Sequence, residues 1–396
     1  SRSDWGRLGM KCEWKTYQVG DLCSSISETY KGKDEYVVLI NTSDVLEGKI
    51  LNHSLTSNVN LKGQFKKKFQ TKDILYSEIR PANKRFAFVD IEDTQNYIAS
   101  TKLMVIRANA EIIMPEYLFI FLQMPTVIAE LQMLAETRSG TFPQITFSSE
   151  ISPLNISLPD KGTQNRIVEI FCSLDDKIEL NNKINENLLE QADLLYDQIF
   201  SDEKIFTELG NVIETTSGGT PPRKHPELYE NPSICWVKSK ELNGGFIHTT
   251  EEMINEIALS KSAAKMLPAH CVLVAMYGAT VGEYGIIVSP MTCNQAVCAL
   301  IPNNRYPYPY LYELIRHSKE KLKNMAVGSA QQNISQVLIK QLPVHTNLDK
   351  VEQFAEATIA SFQMIETLTL ENIHLAFIRD TLLPKLMNGE IKLDEF

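Results

Sequence analysis

Cationic side chains are concentrated between residues 66 and 85, where they could neutralise a phosphate backbone. Lysine and arginine bind phosphates by charge whatever the base sequence, and Arg80, which follows Tyr76 and Ser77, could also reach base edges. A solvated protein surface explains the lysine run equally well, so both interpretations stay open. The nucleic-acid contact candidates in the first half are Lys66, Lys67, Lys68, Lys72, Ser77, Arg80, Lys84, Arg85, Arg138 and Ser139.

A second set of polar residues lies at corresponding places in the second half. The loop SGGTPP (217–222) offers backbone N–H groups that could meet phosphates, and cations follow both this loop and Trp236. Two groups of amides, at 294–295 and 331–333, are of the kind that bind adenine in two-point contacts. A strand end or a turn cap explains these amides as well. The second-half candidates are Gly218, Gly219, Thr220, Arg223, Lys224, Lys238, Ser239, Lys240, Tyr277, Asn294, Gln295, Gln331, Gln332 and Asn333.

Signatures of catalysis are missing from the sequence. It has no GxxxxGK[ST], HExxH, GxSxG or strand-linked GxGxxG motif, and no Asn/Asp-Pro-Pro-aromatic loop of an amino-methyltransferase. The glycine-rich GATVGEYG (278–285) lacks the lysine and the helix start that cradle phosphates, which favours a β-turn connection. We therefore predict no catalytic residue. An enzyme of two duplicated domains and a structural scaffold remain the alternatives.

No metal site is predicted either. The set His270, Cys271, Cys293 and Cys298 has no recognised ligand spacing, and four partly buried, inert side chains are the favoured interpretation. The seven cysteines are scattered and form no CxxC pair, which is typical of a reducing cytoplasm.

The ends and the hydropathy of the chain carry expectations about its location. The apolar runs are short and no secretory signal is present, so we expect a cytoplasmic protein without a membrane span. The chain starts at Ser1, and Met10 opens a native-looking run. We expect residues 1–9 to be an expression remnant, with a processed or truncated natural end as the alternative.

The net charge of −10 is unevenly distributed. Residues 1–160 carry 18 basic and 19 acidic side chains, and residues 202–347 carry 13 of each. The acidic excess belongs to residues 161–201 and 348–396. Two nearly neutral segments therefore alternate with two acidic ones. A neutral segment can still present one basic face to nucleic acid.

Residues 163–200 contain neither Gly nor Pro and are predicted to form one long helix. Apolar residues recur at alternating spacings of four and three over more than four heptads, which is typical of a coiled coil. The seam is roughly 50 Å long at 1.5 Å per residue, so it needs a partner helix. Its positions are Ile167, Phe171, Leu174, Ile178, Asn181, Asn185, Leu188, Ala192, Leu195 and Ile199.

The order of elements in the first half recurs in the second. Gly20 corresponds to Gly210 and Ile145 to Ile334, so the chain is a globular–helix unit written twice. Residues 348–386 then supply the partner helix, and we expect the two helices to pair antiparallel with a pseudo-twofold. The pairing residues predicted on the second helix are Ile365, Asn372, Leu375 and Leu382.

Two further predictions concern local structure. Residues 96–108 are expected to form one strand, and residues 115–135 one helix with Pro115 in its first turn. Asn181 and Asn185 interrupt the seam, and polar seam residues fix register at a cost in stability. The alternative is that Leu180 and Ile184 carry the seam locally.

From about Met10 onward, the chain resembles the specificity subunits of type I restriction-modification systems. NRIVEIFCSLDDKIELNNKINENLLEQADLLYDQIF (165–200) is similar to the family's central spacer helix, and LLPKLMNGEIKL (382–393) to its ending. GGTPPRKHPELYENPSICWVKSKEL (218–242) and GATVGEYGIIVSPMTCNQAVCALIP (278–302) resemble parts of target-recognition domains. The first globular half matches the architecture but diverges in sequence.

The resemblance implies a mixed α/β (α+β) chain with two target-recognition domains that read the halves of a bipartite double-stranded DNA sequence. Antiparallel helices would hold these domains apart. It also implies two modification subunits, which bring S-adenosylmethionine and methylate adenine, and restriction subunits, which bring ATP- and Mg-dependent cleavage. We expect no cofactor on this chain. The expected boundaries are 1–160 (first domain), 161–202 (central helix), 203–346 (second domain) and 347–396 (second helix and tail).

Overall fold

The structure is a computed structural model, and it describes residues 14–59, 63–137, 143–326 and 333–391. The chain divides into two compact units: unit 1 is Ser1–Asp176 with Leu375–Phe396, and unit 2 is Lys177–His374. The helices of the described residues are α1 (Val19–Leu22), α2 (Pro115–Leu122), α3 (Pro125–Thr137), α4 (Lys161–Phe200), α5 (Glu256–Lys261), α6 (Tyr308–Met325), α7 (Gln336–Lys340) and α8 (Leu348–Met387).

Unit 1 is built on two four-stranded sheets, of order β6-β3-β10-β7 and β2-β11-β8-β9, with β1 and β12 paired antiparallel as a separate ladder. In the first sheet β3 and β10 run parallel. The strands are β1 (Lys15–Gln18), β2 (Cys23–Ile26), β3 (Tyr36–Ile40), β4 (Val45–Leu46), β5 (Lys49–Ile50), β6 (Leu55–Ser57), β7 (Phe65–Lys67), β8 (Ile74–Ser77), β9 (Phe86–Phe88), β10 (Tyr97–Ser100), β11 (Leu103–Ala108) and β12 (Asn155–Leu158).

Unit 2 repeats this topology. The pair β13–β22 corresponds to β1–β12, the order β14-β21-β18-β19 to β2-β11-β8-β9, and the parallel pair β15–β20 to β3–β10. The strands are β13 (Phe206–Glu208), β14 (Glu214–Ser217), β15 (Ile234–Val237), β16 (Phe246–Ile247), β17 (Met253–Ile254), β18 (Val272–Ala275), β19 (Tyr284–Ile287), β20 (Thr292–Cys293), β21 (Val297–Ile301) and β22 (Pro343–His345). The predicted internal repeat is thus present as repeated topology.

The central strands β8 and β18 are largely apolar and fully buried, because both faces of their sheet are covered. Ile74 of β8 lies in a core that also contains residues of α2 and α3, whereas Leu75 lies in the core between the two sheets. Val272 and Leu273 of β18 divide in the same way. Successive strand residues point to opposite faces, so a continuous apolar run indicates a sheet covered on both sides.

Two segments of unit 1 that were each predicted to form one continuous element are each divided into two. Residues 115–135 form α2 and α3, bent by 61°, because Pro125 has no N–H and disfavours helical conformation at the residue before it. Residues 96–108 form β10 and β11, which belong to different sheets and are separated by a turn at 101–102. The predicted β-turn role of GATVGEYG is confirmed, because it joins the antiparallel strands β18 and β19.

The described helices, taken singly, differ from membrane-spanning helices in their combination of length and apolarity. None of them alone has the length and apolarity to cross a membrane, and only the bent pair α2 and α3 reaches those limits when taken together. Most of the apolar side chains of that pair belong to the core of unit 1.

The helices α4 and α8 each have 40 residues, and they pair with each other within both units. In unit 1, Phe171 shares a core with Leu383, and Arg379 Nη1 lies 2.7 Å from Asp175 Oδ1. In unit 2, the rings of Tyr196 and Phe354 lie 5.5 Å apart. Residues with higher numbers on α4 contact residues with lower numbers on α8. The antiparallel pairing predicted from the sequence is confirmed.

The polar position of the seam is Asn181, which is fully buried, while Leu180 is 53% exposed. Its Nδ2 donates to Glu371 Oε2 (2.7 Å) and Asn372 Oδ1 (2.8 Å). Near the end of α4 the buried face shifts by one residue, to Tyr196 and Phe200. Ile167, Phe171 and Ile365 are buried. The other predicted pairing residues are half-buried: Leu174, Ile178, Asn185, Leu188, Leu195, Asn372, Leu375 and Leu382.

Candidate nucleic-acid interface

Backbone hydrogen bonds join several loops of unit 2 that carry most of the predicted contact residues. The bonds run from Gly219 N to Cys293 O (3.0 Å), Asn294 N to Val237 O (2.9 Å), Met276 N to Ala296 O (2.8 Å) and Ile334 N to Met276 O (2.9 Å). We call this group of loops surface 2. It comprises residues 218–224, 237–240, 276–280, 293–296 and 333–334.

The carboxylate of Glu252 binds two of the predicted cations of surface 2. Its Oε2 contacts Arg223 Nη2 and its Oε1 contacts Lys238 Nζ. The Arg223 guanidinium also lies 4.5 Å from the ring centre of Tyr229, and Lys238 Nζ lies 5.3 Å from that of Trp236. Hydrogen bonds from Lys238 and Arg223 lower the pKa of Glu252, which therefore stays ionised. Both cations are held in place and neutralised.

The predicted phosphate contacts from Gly218 and Gly219 are wrong, because their N–H groups are used inside the fold. They donate to Val297 O (3.3 Å) and Cys293 O (3.0 Å). A Cβ on Gly218 would lie 2.0 Å from Cys293 O, and one on Gly219 would lie 2.2 Å from Ala263 C. The two glycines are needed for close packing of this loop.

The amide side chains lie where strands end. Asn294 Oδ1 accepts a hydrogen bond from Ala296 N (3.1 Å), which caps its own turn. Tyr277 pairs with Asn333 in an isolated β-bridge, so two separate predicted contacts are neighbours. Ser239 is half-buried. The exposed predicted residues are Thr220, Arg223, Lys224, Lys240, Tyr277, Gln295 and Asn333.

Unit 1 contains the same arrangement of loops. Glu78 N donates to Lys102 O (3.0 Å), as Met276 does to Ala296, and Ile145 N donates to Glu78 O (2.9 Å), as Ile334 does to Met276. Thr101 N adds a bond to Gln64 O (2.7 Å). We call this group surface 1. It comprises residues 64–68, 78–84, 100–102 and 143–145.

Three of the first-half candidates make hydrogen bonds within unit 1. Lys67 Nζ donates to Leu103 O (2.8 Å), and burial lowers the pKa of Lys67. Arg85 Nη1 donates to the carbonyl oxygens of residues 43 (3.1 Å) and 45 (3.3 Å). Ser77 is 2% exposed and bonds within its own turn. Contact with nucleic acid is therefore corrected to an internal role for Ser77, whereas for Lys67 and Arg85 it stays a prediction.

The other first-half cationic candidates that the structure describes are accessible. Lys66 and Arg80 are exposed, and Arg80 has a left-handed backbone (φ 46°) at the start of the 81–83 turn. Three other lysines form ion pairs with carboxylates at the surface. Such ion pairs are weak, so a phosphate can replace the carboxylate. The pairs are Lys68–Glu28 (3.9 Å), Lys72–Glu116 (3.0 Å) and Lys84–Glu47 (2.9 Å).

Sequence reasoning missed Lys102, Gln144 and Glu252. Lys102 is exposed in the turn that corresponds to Ala296, so aligning the two halves at this turn was the signal that could have found it. Gln144 pairs with Ile79, as Asn333 pairs with Tyr277. Four predicted residues lie outside the described part of the chain: Arg138, Ser139, Gln331 and Gln332.

Cys271, Cys293 and Cys298 of the metal-ligand set considered from the sequence are fully buried in the cores of unit 2. Burial raises the pKa of each of these thiols to about 12. His270 Nε2 lies 3.1 Å from Glu366 Oε2 and is used there.

Comparison with known proteins agrees with the duplicated fold. The family model of the type I restriction modification DNA specificity domain matches residues 11–190 and 202–356. The chain belongs to this family. It is a DNA specificity subunit of the type I restriction-modification class.

Particular relatives sharpen this assignment. The chain is 32% identical to the type I restriction enzyme HindI specificity subunit of Haemophilus influenzae, over 96% of this chain and 100% of that protein. It is 28% identical to the EcoR124I/EcoR124II specificity subunit of Escherichia coli, over 38% of each chain. A solved type I restriction-modification S subunit from M. genitalium has the same fold (TM-score 0.57, 15% identity, 96% and 98% coverage).

Proposed function

We propose that this chain reads a bipartite double-stranded DNA sequence, with surface 1 reading one half and surface 2 the other. The repeated loop arrangement carries the proposal, because the same backbone hydrogen bonds position a set of exposed polar residues twice.

The exposed cations and the amides would have different tasks. Lys66, Lys224 and Lys240 contact phosphates, which gives affinity and orientation without sequence information. Arg80 and Gln295 reach base edges in the major groove, where arginine suits guanine and glutamine suits adenine. Each surface thus combines positioning contacts with a small number of reading contacts.

The long helices would hold the two halves apart and dock the modification subunits. Each is ~60 Å long at 1.5 Å per residue. Helix α8 keeps Leu370, Ile373, Phe377 and Ile378 exposed, at spacings that share one helix face. An exposed apolar stripe of this kind supports a protein partner.

We infer the wider assembly from the family. Two modification subunits would bring S-adenosylmethionine and methylate adenine, and restriction subunits would bring ATP and Mg for cleavage. This chain would act in the cytoplasm without cofactor or catalytic residue, as the DNA-reading component.

DNA binding is tested by titrating duplex DNA with the purified chain, with and without modification subunits, from about 50 to 200 mM salt. We expect the logarithm of the binding constant to fall linearly with the logarithm of salt concentration, because cations replace counterions on phosphates. A salt-independent or absent interaction would support an enzyme or a scaffold instead.

The bipartite reading is tested in cells that express the chain with its modification subunit. Sequencing of modified bases should give one adenine-methylated motif, split by a spacer of constant length. A continuous motif would contradict the assignment of one half-site to each unit.

A further inference from the structure

A second cluster of chemically active side chains lies in unit 2, where α4 packs on α6. Asp193 and Asp197 are one turn apart on α4, and Glu313 and His317 are one turn apart on α6, so each pair lies on one helix face. His317 Nε2 lies 2.9 Å from Asp193 Oδ1, and His317 Nδ1 lies 3.7 Å from Asp197 Oδ1. One ligand atom each from Asp193, Glu313 and His317 falls within 4.8 Å of the others.

Glu313 supplies a second, independent observation. Its side chain is fully buried, and its Oε2 has no hydrogen-bond partner. Burial raises the pKa of Glu313 to about 8. A buried carboxylate oxygen without a partner is costly to the fold, and a bound cation would remove that cost.

We propose that Asp193, Glu313 and His317 bind a divalent transition-metal ion of the zinc or cobalt type. An imidazole nitrogen with two carboxylate oxygens suits these ions, whereas calcium and magnesium prefer oxygen ligands alone. Asp197 then serves as the outer partner. Its Oδ1 lies 3.7 Å from His317 Nδ1. Closing this distance to a hydrogen bond on metal binding would direct Nε2 to the ion, as carboxylates commonly do for metal-bound histidines.

Arg316 is the competing cation at this place. Its Nη1 lies 3.4 Å from Glu313 Oε1 and its Nη2 lies 3.8 Å from Asp193 Oδ2, both longer than a charge-assisted hydrogen bond. Its best contact is the Leu189 carbonyl oxygen, at 2.8 Å. The guanidinium is anchored on the backbone of α4 and leaves Glu313 Oε2 and Asp193 Oδ1 for the ion.

A metal here would fasten the long helix α4 to the body of unit 2. The proposal concerns residues outside both loop surfaces and is independent of DNA reading. Its test therefore contains no DNA and no partner subunit.

The experiment strips the full-length chain with chelator and titrates it with Co²⁺, read by visible absorption, and with Zn²⁺, read by calorimetry and by melting temperature. We expect one equivalent of each ion and a rise in melting temperature. His317→Gln and Glu313→Gln should each weaken affinity at least about tenfold, and Asp197→Asn about 10- to 100-fold. His374→Gln, an exposed histidine on α8, is the matched control and should bind as the unmutated chain does.

Arg316→Gln is expected to change the metal affinity in the opposite direction. Removing the competing guanidinium should strengthen Zn²⁺ binding, an effect that simple loss of folding cannot produce. The proposal is overturned if the unmutated chain takes up no stoichiometric Co²⁺ or Zn²⁺. It is equally overturned if His317→Gln binds the ions as tightly as His374→Gln.

Discussion

A cationic side chain is available to bind DNA only if it is not already bound within the protein. Arg85 and Lys67 donate to backbone carbonyl oxygens and stabilise unit 1. Lys66 and Lys224 are exposed and belong to the loop surfaces. A count of basic residues treats the four as equivalent, but their environments separate them.

Glu252 gives the first prediction, because it neutralises Arg223 and Lys238 together. Glu252→Gln should release both cations to phosphate and tighten DNA binding about tenfold at low salt, equivalent to about 1.4 kcal/mol. The salt dependence should steepen by roughly one unit for each new phosphate contact. Fluorescence anisotropy with a labelled duplex over a salt series measures both quantities.

Glu214→Gln is the matched control, since Glu214 is exposed at the far end of β14 from surface 2. It changes the net charge equally and should alter binding far less. Equal tightening by both variants would mean that only net charge matters.

His345 gives the second prediction, on the pH dependence of stability. It is buried, its Nδ1 lies 2.9 Å from the Tyr310 hydroxyl, and burial lowers its pKa to about 4. The unfolded state, with a pKa of about 6.5, then binds a proton that the folded state refuses. The stabilisation by neutral His345 is complete above about pH 6.5 and is lost as the pH falls towards 4. At pH 5 the free energy of unfolding is lower by about 2 kcal/mol.

Urea unfolding at about pH 7.5 and pH 5 measures this loss. His345→Gln should show a smaller drop between the two pH values, whatever its absolute stability. His225→Gln, which removes an exposed histidine, should keep the full drop. An unchanged drop in His345→Gln would show that other groups carry the pH dependence.

Among the elements, the paired helices depend on a polar contact in an apolar seam. Asn181 donates both Nδ2 hydrogens across the pair, to Glu371 and Asn372, while its Oδ1 is buried without a partner. Such a contact costs stability but makes a shifted register worse, since every other alignment would leave these groups unpaired. The apolar seam stabilises pairing, and we expect Asn181 to select its register.

The third prediction substitutes that donor. Asn181→Asp sets a carboxylate against Glu371 Oε2 and Asn372 Oδ1, which are both acceptors, and should lower the free energy of unfolding by about 2–4 kcal/mol at neutral pH. Chemical denaturation measures the change, which should shrink in acid as the carboxylates become protonated.

Asn182→Asp is the control on the neighbouring residue. Asn182 Oδ1 accepts from Asn372 Nδ2 at 2.8 Å, and a carboxylate oxygen accepts equally well. We expect a change below about 1 kcal/mol. If the two variants were equally destabilised, charge on α4 rather than donor geometry would be responsible.

For the whole molecule, the division into two units with separate cores predicts separable recognition. Asn294→Ala with Gln295→Ala, in surface 2, should relax one half of the methylated motif and leave the other half intact. Loss of a two-point base contact costs about 1–3 kcal/mol in discrimination. Sequencing of modified bases in cells measures the preference at each position.

Arg80→Ala, in surface 1, is the reciprocal variant and should relax the opposite half. The two phenotypes should also combine additively, because the surfaces belong to units with different cores. Relaxation of both halves by either variant would contradict separate reading.

Local pattern was enough to predict the long helices, their antiparallel pairing and the duplication. A heptad seam and a repeat at a nearly constant offset are properties of the sequence itself, so Ile167, Phe171 and Ile365 could be assigned to the seam without a structure. The break at Pro125 was also readable, since proline ends or kinks a helical pattern, but the apolar run on both sides concealed it.

The functional surfaces were predictable only in part. The duplicated globular–helix order and the family could be predicted from the sequence, because periodicity and motifs are local patterns along the chain. Only the tertiary contacts show which cations are accessible. They also show that the N–H groups of Gly218 and Gly219 donate within the fold, and that Glu252 binds both Arg223 and Lys238. It also brought Asp193 and His317 together from helices 124 residues apart in sequence. Hydrogen-bond partners and burial arise from contacts between distant segments, which no local pattern encodes.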